Sequence, residues 1–394
     1  MKEVYICSAV RTPIGSFGGM FAGLTAVQLG SAAITGALEK AGVSADQVSE
    51  VFFGNVCSAN LGQAPARQAA IAAGLGINVP CTTVNKVCSS GLKTVMFGAQ
   101  SIALGHADIV VAGGMESMSN VPYYVPKARF GYKYGGAKLI DGLETDGLFD
   151  VYNKMAMGVC ADRTATKFNI TREEQDAYTI NSYKSVAENT DNGNFKDEIV
   201  PVSIPQRRGD ALVVDTDEEY KRVKFEKIPN LRPAFTKDGT GTVTAANAST
   251  INDGASAIIL ASAAKVKELG LTPVAKIVSF ADAAQEPEWF TTAPTLAAPI
   301  ALQRAGMTWN DVDFMEVNEA FAVVPMAFAK NLDLDASKMN VFGGSVAIGH
   351  PLGASGARIL TTLNNVLHKK SGSVGMAAIC NGGGGASALI IEKV

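Results

Sequence analysis

One segment of the chain carries a strand, a turn and a helix in succession: Thr82-Thr83-Val84-Asn85-Lys86-Val87-Cys88-Ser89-Ser90-Gly91-Leu92-Lys93. Apolar residues then recur at the spacing of a buried helix face: Leu92, Val95, Met96, Ala99, Ile102 and Ala103. Cys88 therefore lies where a strand ends and a helix begins. Because helix N-terminal amides favour negative charge, this position predicts a lowered pKa and a nucleophilic thiolate for Cys88. A small buried cysteine in a packed turn is the competing interpretation.

A second segment repeats this order with a histidine in place of the cysteine: Asn340-Val341-Phe342-Gly343-Gly344-Ser345-Val346-Ala347-Ile348-Gly349-His350-Pro351-Leu352-Gly353-Ala354-Ser355-Gly356. We interpret it as a strand at 340–342, a glycine-rich turn with His350, and a helix from about Ala354. Pro351 keeps His350 out of the α conformation, and the glycines let backbone approach a ligand closely. No phosphate-loop glycine pattern occurs here. The segment predicts a functional His350, and its likeness to the first segment indicates internal duplication.

Strand and helix patterns alternate along the chain, which predicts an α/β fold with strands covered on both faces. The predicted strands are 4–8, 51–53, 82–85, 108–112, 257–261, 276–280, 314–317, 340–342, 375–379 and 388–391. Clear helix patterns cover 25–41, 64–73 and 173–189, the last with a capping box at Thr171 and Glu174. Residues from about 120 to 250 carry more charge, tyrosine and proline. We predict an N-terminal α/β half at 1–120, an inserted loop domain at 121–250 and a C-terminal half at 251–394.

Composition excludes several classes of protein. Hydrophobic residues make up 47% and charged residues 18% of the 394 residues, as in a well-packed globular protein. The net charge of −3 and the scattered basic residues favour neither nucleic acid nor a membrane as partner. No apolar run is long enough for a transmembrane helix, a strand pattern begins at once, and Ile391-Glu392-Lys393-Val394 is not a peroxisomal signal. We therefore expect a cytoplasmic protein.

Cysteine and histidine usage limits the possible chemistry. None of the six cysteines forms a C-x-x-C pair, so neither a disulfide framework nor a zinc site is expected. For most of them the simplest interpretation is a small buried apolar residue. The cysteines are Cys7, Cys57, Cys81, Cys88, Cys160 and Cys380. With only three histidines in the chain, His350 is one of few candidates for a base.

Two further motifs remain ambiguous when they are taken alone. Cys380 ends a strand and is followed by Asn381 and four glycines. This pattern indicates either a tight hairpin or a turn that exposes Cys380 and offers backbone N–H groups to an anion. In Glu316-Val317-Asn318-Glu319, Asn318 is either a helix N-cap or an amide beside a reacting oxygen.

Together these motifs resemble the thiolase family, and the resemblance extends over essentially the whole chain. Three other stretches also match it: Ala9-Val10-Arg11-Thr12-Pro13-Ile14-Gly15, Gly113-Gly114-Met115-Glu116-Ser117-Met118 and Thr242-Val243-Thr244-Ala245-Ala246-Asn247-Ala248-Ser249. The likeness is greatest to acetoacetyl-CoA thiolases. It implies the thiolase fold: two duplicated α/β halves, each with a mixed five-stranded sheet, stacked in five layers as αβαβα. The inserted loop domain would cover the coenzyme A (CoA) site.

The resemblance also implies an activity and catalytic roles. An acetyl-CoA C-acetyltransferase condenses two acetyl-CoA into acetoacetyl-CoA and CoA, and catalyses the reverse thiolysis. Cys88 would be the acetylated nucleophile, His350 would accept its proton, and Cys380 would be the second acid/base. Asn318, acting through a water with His350, would form one oxyanion hole, and the backbone amides of Cys88 and Gly382 the other. The chemistry requires a covalent carrier, a C–H base and two sets of oxyanion donors.

The resemblance carries over ligand contacts as well. CoA is implied as a substrate and product rather than a tightly bound cofactor. Its contacts would be Leu148, Met157, Tyr183, Arg222, Val223, Lys224, Lys227, Ser249, Ala320 and Phe321. Some acetoacetyl-CoA members bind potassium near the CoA, and the matching residues are Tyr183, Ala245, Ala246, Ala248 and Val346. The chain departs from many relatives at Ala156, where they have histidine, and this puts its CoA contacts or acyl-chain preference in doubt.

Three alternatives share parts of this pattern. A broad-chain 3-ketoacyl-CoA thiolase of fatty-acid breakdown would use the same catalytic residues. A decarboxylating ketosynthase generally has histidine or asparagine where Cys380 lies. A non-catalytic CoA- or lipid-binding protein would not require Cys88, His350 and Cys380 together. The resemblance further implies a homotetramer, with no nucleic-acid or membrane partner.

Overall fold

A computed structural model describes residues 2–394 of the chain. The α-helices are α1 Ala26–Ala41, α2 Pro65–Ala72, α3 Ser90–Leu104, α4 Met157–Lys167, α5 Arg172–Asp191, α6 Ala263–Leu269, α7 Pro294–Ala305, α8 Val323–Leu332, α9 Ser345–Ile348 and α10 Leu352–Lys369. The strands are β1 Val4–Arg11, β2 Gly15–Ser16, β3 Glu50–Gly54, β4 Cys81–Val84, β5 Ile109–Ser117, β6 Tyr123–Tyr124, β7 Ile140–Asp141, β8 Phe149–Asp150, β9 Met155–Ala156, β10 Val202–Ile204, β11 Leu212–Val214, β12 Asn252–Ser262, β13 Ala275–Ala284, β14 Phe314–Val317, β15 Val374–Asn381 and β16 Gly385–Lys393. Short 3₁₀ or π turns lie between them, the longest at Phe225–Asn230 and Pro287–Thr292.

The predicted helix signals agree with these bounds. In α5, the Thr171 hydroxyl accepts a hydrogen bond from the Glu174 N–H, and the Glu174 carboxylate accepts one from the Thr171 N–H. This reciprocal pair satisfies two donors that the first helical turn would otherwise leave free. The capping box therefore starts this helix as the sequence predicts.

The main sheet has the order β4-β3-β5-β12-β1-β13-β16-β15-β14. Its two parts repeat the same order of directions. From the centre outward, β1, β12 and β5 are antiparallel neighbours, and β3 and β4 follow in parallel. In the other direction β13, β16 and β15 are antiparallel, and β14 follows in parallel. This repeat supports the predicted duplication. The two parts join where β1 pairs with β13 over two residue pairs.

The predicted strand at 340–342 is wrong. Only a single parallel bridge between Met315 and Met339 stands where β4 stands in the first half, so the second half has four strands and not five. Asn340 has a left-handed φ of +46°, which ends any strand at this point. Its side-chain amide instead bonds both the N–H and the carbonyl of Val317, each at 2.8 Å. The side chain thereby replaces the missing strand neighbour at this edge.

Helices α3 and α10 lie between the two half-sheets and contact each other as well as strands of both halves. Helices α1 and α2 cover the outer face of the first half, and α7 and α8 that of the second. The five layers αβαβα are therefore present. Glycines bring α3 and α10 together backbone to backbone, since a Cβ on Gly91 would lie 2.7 Å from the Ala357 nitrogen and one on Gly356 would lie 2.3 Å from the Leu92 nitrogen.

The region predicted as the loop domain contains α4, α5, six short strands and many turns. Its limits at 120 and 250 stay predictions. Strand β12 begins at Asn252, beyond the second limit, yet it pairs with β1 and β5 in the sheet of the first half. No helix among residues 2–394 has both the length and the apolarity needed to cross a bilayer.

Candidate active site

A cavity of about 740 Å³ lies where the loop region meets the two α/β halves, and Cys88, His350 and Gly382 all line it. Cys88 lies just before α3, His350 just before α10, and Gly382 just after β15. The close contact of α3 with α10 sets the first two side by side. Three residues that are far apart in the sequence thus line one cavity, and their catalytic roles stay predictions.

Hydrogen bonds also tie the Cys88 turn to the strand that carries Cys380. The Ser89 hydroxyl bonds the Ile379 carbonyl at 3.3 Å and the Asn381 side-chain oxygen at 2.9 Å, on either side of Cys380. The Lys86 ammonium donates to the carbonyl of Ala386, which is the cross-strand partner of Cys380. Cys88 and Cys380 are therefore held in neighbouring positions.

Cys88 does not have the lowered pKa that its position predicts. Its side chain is 7% exposed, and this burial raises the pKa of the thiol to about 12. Backbone N–H groups of Gly382 and of Cys88 itself lie near enough to the sulfur to lower the pKa, but they do not offset the loss of hydration. The prediction failed because sequence position gives the distance to a helix end and not the depth of burial. The resting group is a thiol, so a base must take its proton.

His350 is buried and has the hydrogen bonding of a neutral base. Its Nδ1 lies 2.6 Å from the Ser355 hydroxyl, which in turn donates to the Pro351 carbonyl at 2.9 Å. Because serine has one hydroxyl hydrogen, Nδ1–H must be the donor to Ser355, and Nε2 keeps its lone pair. Within residues 2–394 this Nε2 has no hydrogen-bond partner. Burial, followed by the charge of Arg358, lowers the pKa of His350 to about 3, so the ring is neutral.

The backbone around His350 is fixed from the opposite half of the molecule. The His350 N–H donates to the Asn252 side-chain oxygen at 2.9 Å, at the start of β12. Gly349 has φ +118°, and a Cβ there would lie 2.5 Å from the Asn252 side chain. The glycine before His350 is therefore required by this contact. Neither Asn252 nor Ser355 was predicted as a site residue, since single serines and asparagines carry no signal of their own.

Cys380 is fully buried within β15, and the glycines after it do not expose it. The hairpin interpretation is correct: Gly383 and Gly384, both with φ +85°, turn the chain from β15 into β16. Burial, followed by the nearby charge of a Cys88 thiolate, raises the pKa of Cys380 well above its ordinary value. Cys380 thus lies behind the cavity wall as a protonated thiol next to Cys88.

Asn318 follows β14 and is not a helix N-cap, because α8 begins only at Val323 with Ala322 before it. Its side-chain oxygen accepts a hydrogen bond from Ser345 at 2.7 Å, while its Nδ2 has no partner in the part of the chain that the structure describes. Buried polar atoms nearly always have a partner. The free Nδ2 of Asn318 and Nε2 of His350 are therefore places where a water or a ligand oxygen is expected.

Six of the ten predicted CoA contacts line the cavity: Leu148, Met157, Arg222, Ser249, Ala320 and Phe321. The other four do not line it: Tyr183, Val223, Lys224 and Lys227. The remaining wall was missed by the sequence analysis and comes from many short segments: Phe17, Met118, Gly147, Gly158, Glu219, Ala234, Phe235, Thr250, Ile251, Phe290 and Leu352. Met118 and Leu352 lie in stretches quoted above but carry no chemical signal of their own, and the other nine lie outside those motifs, so only the folded chain shows them together.

The predicted potassium ligands include four backbone carbonyl oxygens that accept no backbone hydrogen bond from the described part of the chain. Ala245 and Ala248 line the cavity, and the buried Tyr183 side chain lies near enough to Glu219 and Glu319 for their charges to raise its pKa, after the larger effect of burial. No backbone N–H of residues 2–394 donates to the carbonyls of Ala245, Ala246, Ala248 or Val346. Carbonyl and phenol oxygens near carboxylates are a donor set that suits a hard cation.

Comparison with known proteins defines the class. The family models "Thiolase, N-terminal domain" and "Thiolase, C-terminal domain" match residues 4–264 and 271–393. The chain belongs to the thiolase family and has the thiolase fold. It is similar to Acat5 thiolase from Ascaris suum in complex with coenzyme A, with 49% identity, a TM-score of 0.96 and 100% coverage of both chains.

Curated relatives are more similar still in sequence. An acetyl-CoA acetyltransferase of Schizosaccharomyces pombe is 56% identical over 393 residues, which cover 100% of this chain and 99% of that protein. The cytosolic acetyl-CoA acetyltransferase ERG10 of Gibberella zeae is 55% identical over 395 residues, with 100% and 99% coverage. The similarity thus extends over whole chains and includes both halves and the loop region.

Proposed function

We propose that this chain is an acetyl-CoA C-acetyltransferase, which condenses two acetyl-CoA into acetoacetyl-CoA and CoA and catalyses the reverse thiolysis. The names of its full-length relatives support this activity, as does the CoA-bound structural neighbour. The observation that carries the proposal is the arrangement of three groups: the Cys88 thiol and the neutral His350 imidazole line one cavity, and the Cys380 thiol lies behind its wall next to Cys88.

The first half-reaction acetylates Cys88. Its sulfur attacks the thioester carbon of acetyl-CoA as His350 Nε2 takes the thiol proton. Since Cys88 rests as a thiol and His350 as a neutral ring, this transfer is coupled to the attack and is not complete beforehand. The bond from the carbonyl carbon to the CoA sulfur then breaks, and the leaving thiolate takes the Cys380 proton. Acetyl-Cys88, an imidazolium, a Cys380 thiolate and free CoA result.

The second half-reaction forms the carbon–carbon bond. The Cys380 thiolate removes a proton from the methyl group of a second acetyl-CoA, and the carbanion attacks the acetyl-Cys88 carbon. The bond to the Cys88 sulfur breaks, and His350 returns the proton to this sulfur. The N–H groups of Cys88 and Gly382, which lie near the resting sulfur, become donors to the oxygen of the acetyl thioester. Asn318 Nδ2 and His350 Nε2, together with a water, stabilise the other oxyanion by hydrogen bonds.

CoA binds along the cavity in this proposal. Arg222 contacts the phosphates of CoA, Ser249 contacts its pantetheine, and the apolar walls of the cavity surround the acyl group. Phe321 packs against Phe235 and Phe290 at ring-centroid distances of 6.1 and 6.5 Å, and the three rings form an apolar wall of the cavity. Potassium would be held by Tyr183 and the carbonyls of Ala245, Ala246, Ala248 and Val346. Its charge would order the loop beside the CoA.

Assembly and location belong to the same proposal: a cytoplasmic homotetramer. The segment 123–139 exposes Tyr123, Phe130, Tyr134 and Leu139, which is unusual for a surface that meets only water. Strand β4 is a sheet edge, and another copy could extend it. One relative is named cytosolic and others are named mitochondrial. Light scattering should give four times the 41.0 kDa chain mass.

A steady-state assay tests the proposed activity. Acetoacetyl-CoA plus CoA should be converted to acetyl-CoA, and a long-chain 3-ketoacyl-CoA should be cleaved with a much lower kcat/KM. Equal cleavage of the long-chain substrate would make the chain a broad-chain 3-ketoacyl-CoA thiolase instead. Addition of potassium should raise the activity, and sodium at the same ionic strength is the control.

A further inference from the structure

A buried serine lies behind the site and contacts Asn318. Ser345 is the first residue of α9, five positions before His350, and it is fully buried. Its hydroxyl has two partners. Arg358 Nη2 lies 2.7 Å away and Asn318 Oδ1 lies 2.7 Å away. A guanidinium can only donate, so the serine oxygen accepts from Arg358. The single serine hydrogen goes to Asn318 Oδ1, its one acceptor among residues 2–394.

This relay determines which end of the Asn318 amide is free. The two ends of an asparagine side chain have nearly the same shape, and only hydrogen bonds decide between them. With Oδ1 bound to Ser345, the amide NH₂ is turned away, and it has no partner among residues 2–394. Only the NH₂ end can donate to an oxyanion or to a water that bonds one.

The relay is anchored in two elements. Arg358 lies in α10, fully buried, with Nη1 3.7 Å from the Glu316 carboxyl group, a contact between opposite charges without a hydrogen bond. Glu316 lies in β14, two residues before Asn318. Arg358 therefore joins the helix that follows His350 to the strand that precedes Asn318, and Ser345 lies between them. Its charge also lowers the pKa of His350, after the larger effect of burial.

We propose that Ser345 is a positioning residue for the acyl-transfer reaction, which holds Asn318 with its NH₂ group toward the reacting oxygen and is itself oriented by Arg358. This inference rests on the proposed acetyltransferase activity. Ser345 touches no substrate. Its contribution passes through Asn318 alone, so its removal has no effect once Asn318 is gone.

A double-mutant cycle tests this dependence, with kcat and KM for thiolysis of acetoacetyl-CoA measured for the whole enzyme. Ser345→Ala should lower kcat by about tenfold at nearly unchanged KM, less than the roughly 10²–10³-fold loss that follows removal of an oxyanion donor. Asn318→Ala should lower it further, and the double variant should equal Asn318→Ala. Ser8→Ala is the matched control, because Ser8 is another fully buried serine whose hydroxyl donates to a helix carbonyl, that of Ala37.

The outcomes separate this inference from the proposed function. A wild-type enzyme without thiolysis would overturn the proposed function and this inference with it. If the wild type is active, two results would overturn this inference and leave the proposed function standing. One is a Ser345→Ala variant with full kcat, and the other is a double variant in which the two losses multiply. Ser345→Cys nearly keeps the volume of the side chain but donates only a weak hydrogen bond, so its kcat should fall as in Ser345→Ala. Its kcat replaces that of Ser345→Ala in the test if the alanine variant fails to fold.

Discussion

At the scale of single residues, the site holds three groups that are uncharged at rest. Burial raises the pKa of Cys88 to about 12 and that of Cys380 well above its ordinary value, and it lowers the pKa of His350 to about 3. In the proposed mechanism each group therefore gains or loses its proton only together with the making or breaking of a bond in the substrate. The hydrogen bonds that fix tautomers and amide ends, from Ser355 and Ser345, are then as important as the pKa values.

Ser355→Ala should impair catalysis through the tautomer of His350. Without the Ser355 oxygen to accept from Nδ1–H, the proton is free to move to Nε2, which removes the lone pair that faces the cavity. We expect kcat to fall by about tenfold or more, since a wrong histidine tautomer is costly in acyl transfer. Ser279→Ala is the control, because this buried serine donates to the Ala301 carbonyl in the outer layer. Equal rates of Cys88 acetylation in the two variants would contradict the conclusion that Ser355 fixes the tautomer of His350.

His350 should also make stability depend on pH. The native ring stays neutral down to a pKa of about 3, whereas the unfolded ring takes a proton near its ordinary value of 6.5. The unfolded state then binds more protons below pH 6.5, so stability is full above this pH and is lost as pH falls. The loss should be about 2 kcal/mol between pH 6.5 and pH 5.

Urea unfolding of His350→Gln at these two pH values measures this contribution. The variant should lose less stability than the wild type on acidification, by about the same 2 kcal/mol. His106→Gln, at an exposed position, should follow the wild type. Identical pH dependence in wild type and His350→Gln would show that His350 is not held neutral.

At the scale of elements, the contact between α3 and α10 is what brings Cys88 and His350 together. Gly91→Ala should disrupt it, because the new Cβ would meet the Ala357 nitrogen at 2.7 Å and the Gly353 oxygen at 3.0 Å, which are backbone atoms. Overpacking of this kind typically costs about 1–3 kcal/mol. Thermal unfolding and thiolysis should both decline.

Gly98→Ala is the matched control in the same helix. Its Cβ would meet side-chain methyls of Leu260 and Val110, which are able to shift, so a smaller loss of stability and a normal kcat are expected. A Gly91→Ala enzyme as stable and as active as Gly98→Ala would mean that the close backbone contact does not position the site.

The elements also show what the sequence can and cannot predict. Strand β14 was predicted to the residue, and helix α5 was predicted from its capping box, because both depend on local pattern. The strand at 340–342 was wrong because the left-handed Asn340 and its side-chain bonds to Val317 replace a strand partner. The prediction of a lowered pKa for Cys88 was wrong because the burial of this thiol depends on how the two halves pack and not on the turn alone.

At the scale of the whole molecule, the cavity also shows that local sequence pattern does not predict contacts between distant segments. Motifs with strong chemistry, at Cys88 and His350, were found in the sequence, whereas wall residues such as Phe17, Thr250 and Leu352 were not. They come from segments that meet only after the sheet halves and the loop region have packed. The family resemblance predicts such residues because its motifs can be matched to positions in this chain. Six of the ten CoA contacts predicted in this way line the cavity.

The central claim is that Cys88 carries the acetyl group while Cys380 moves the proton for carbon–carbon bond formation. Mass spectrometry of the intact protein after incubation with acetyl-CoA tests it most directly, on wild type, Cys88→Ala and Cys380→Ala. Wild type and Cys380→Ala should gain one acetyl group, on the peptide that contains Cys88, and Cys380→Ala should form no acetoacetyl-CoA. An acetylated Cys88→Ala protein, or normal condensation by Cys380→Ala, would contradict the account.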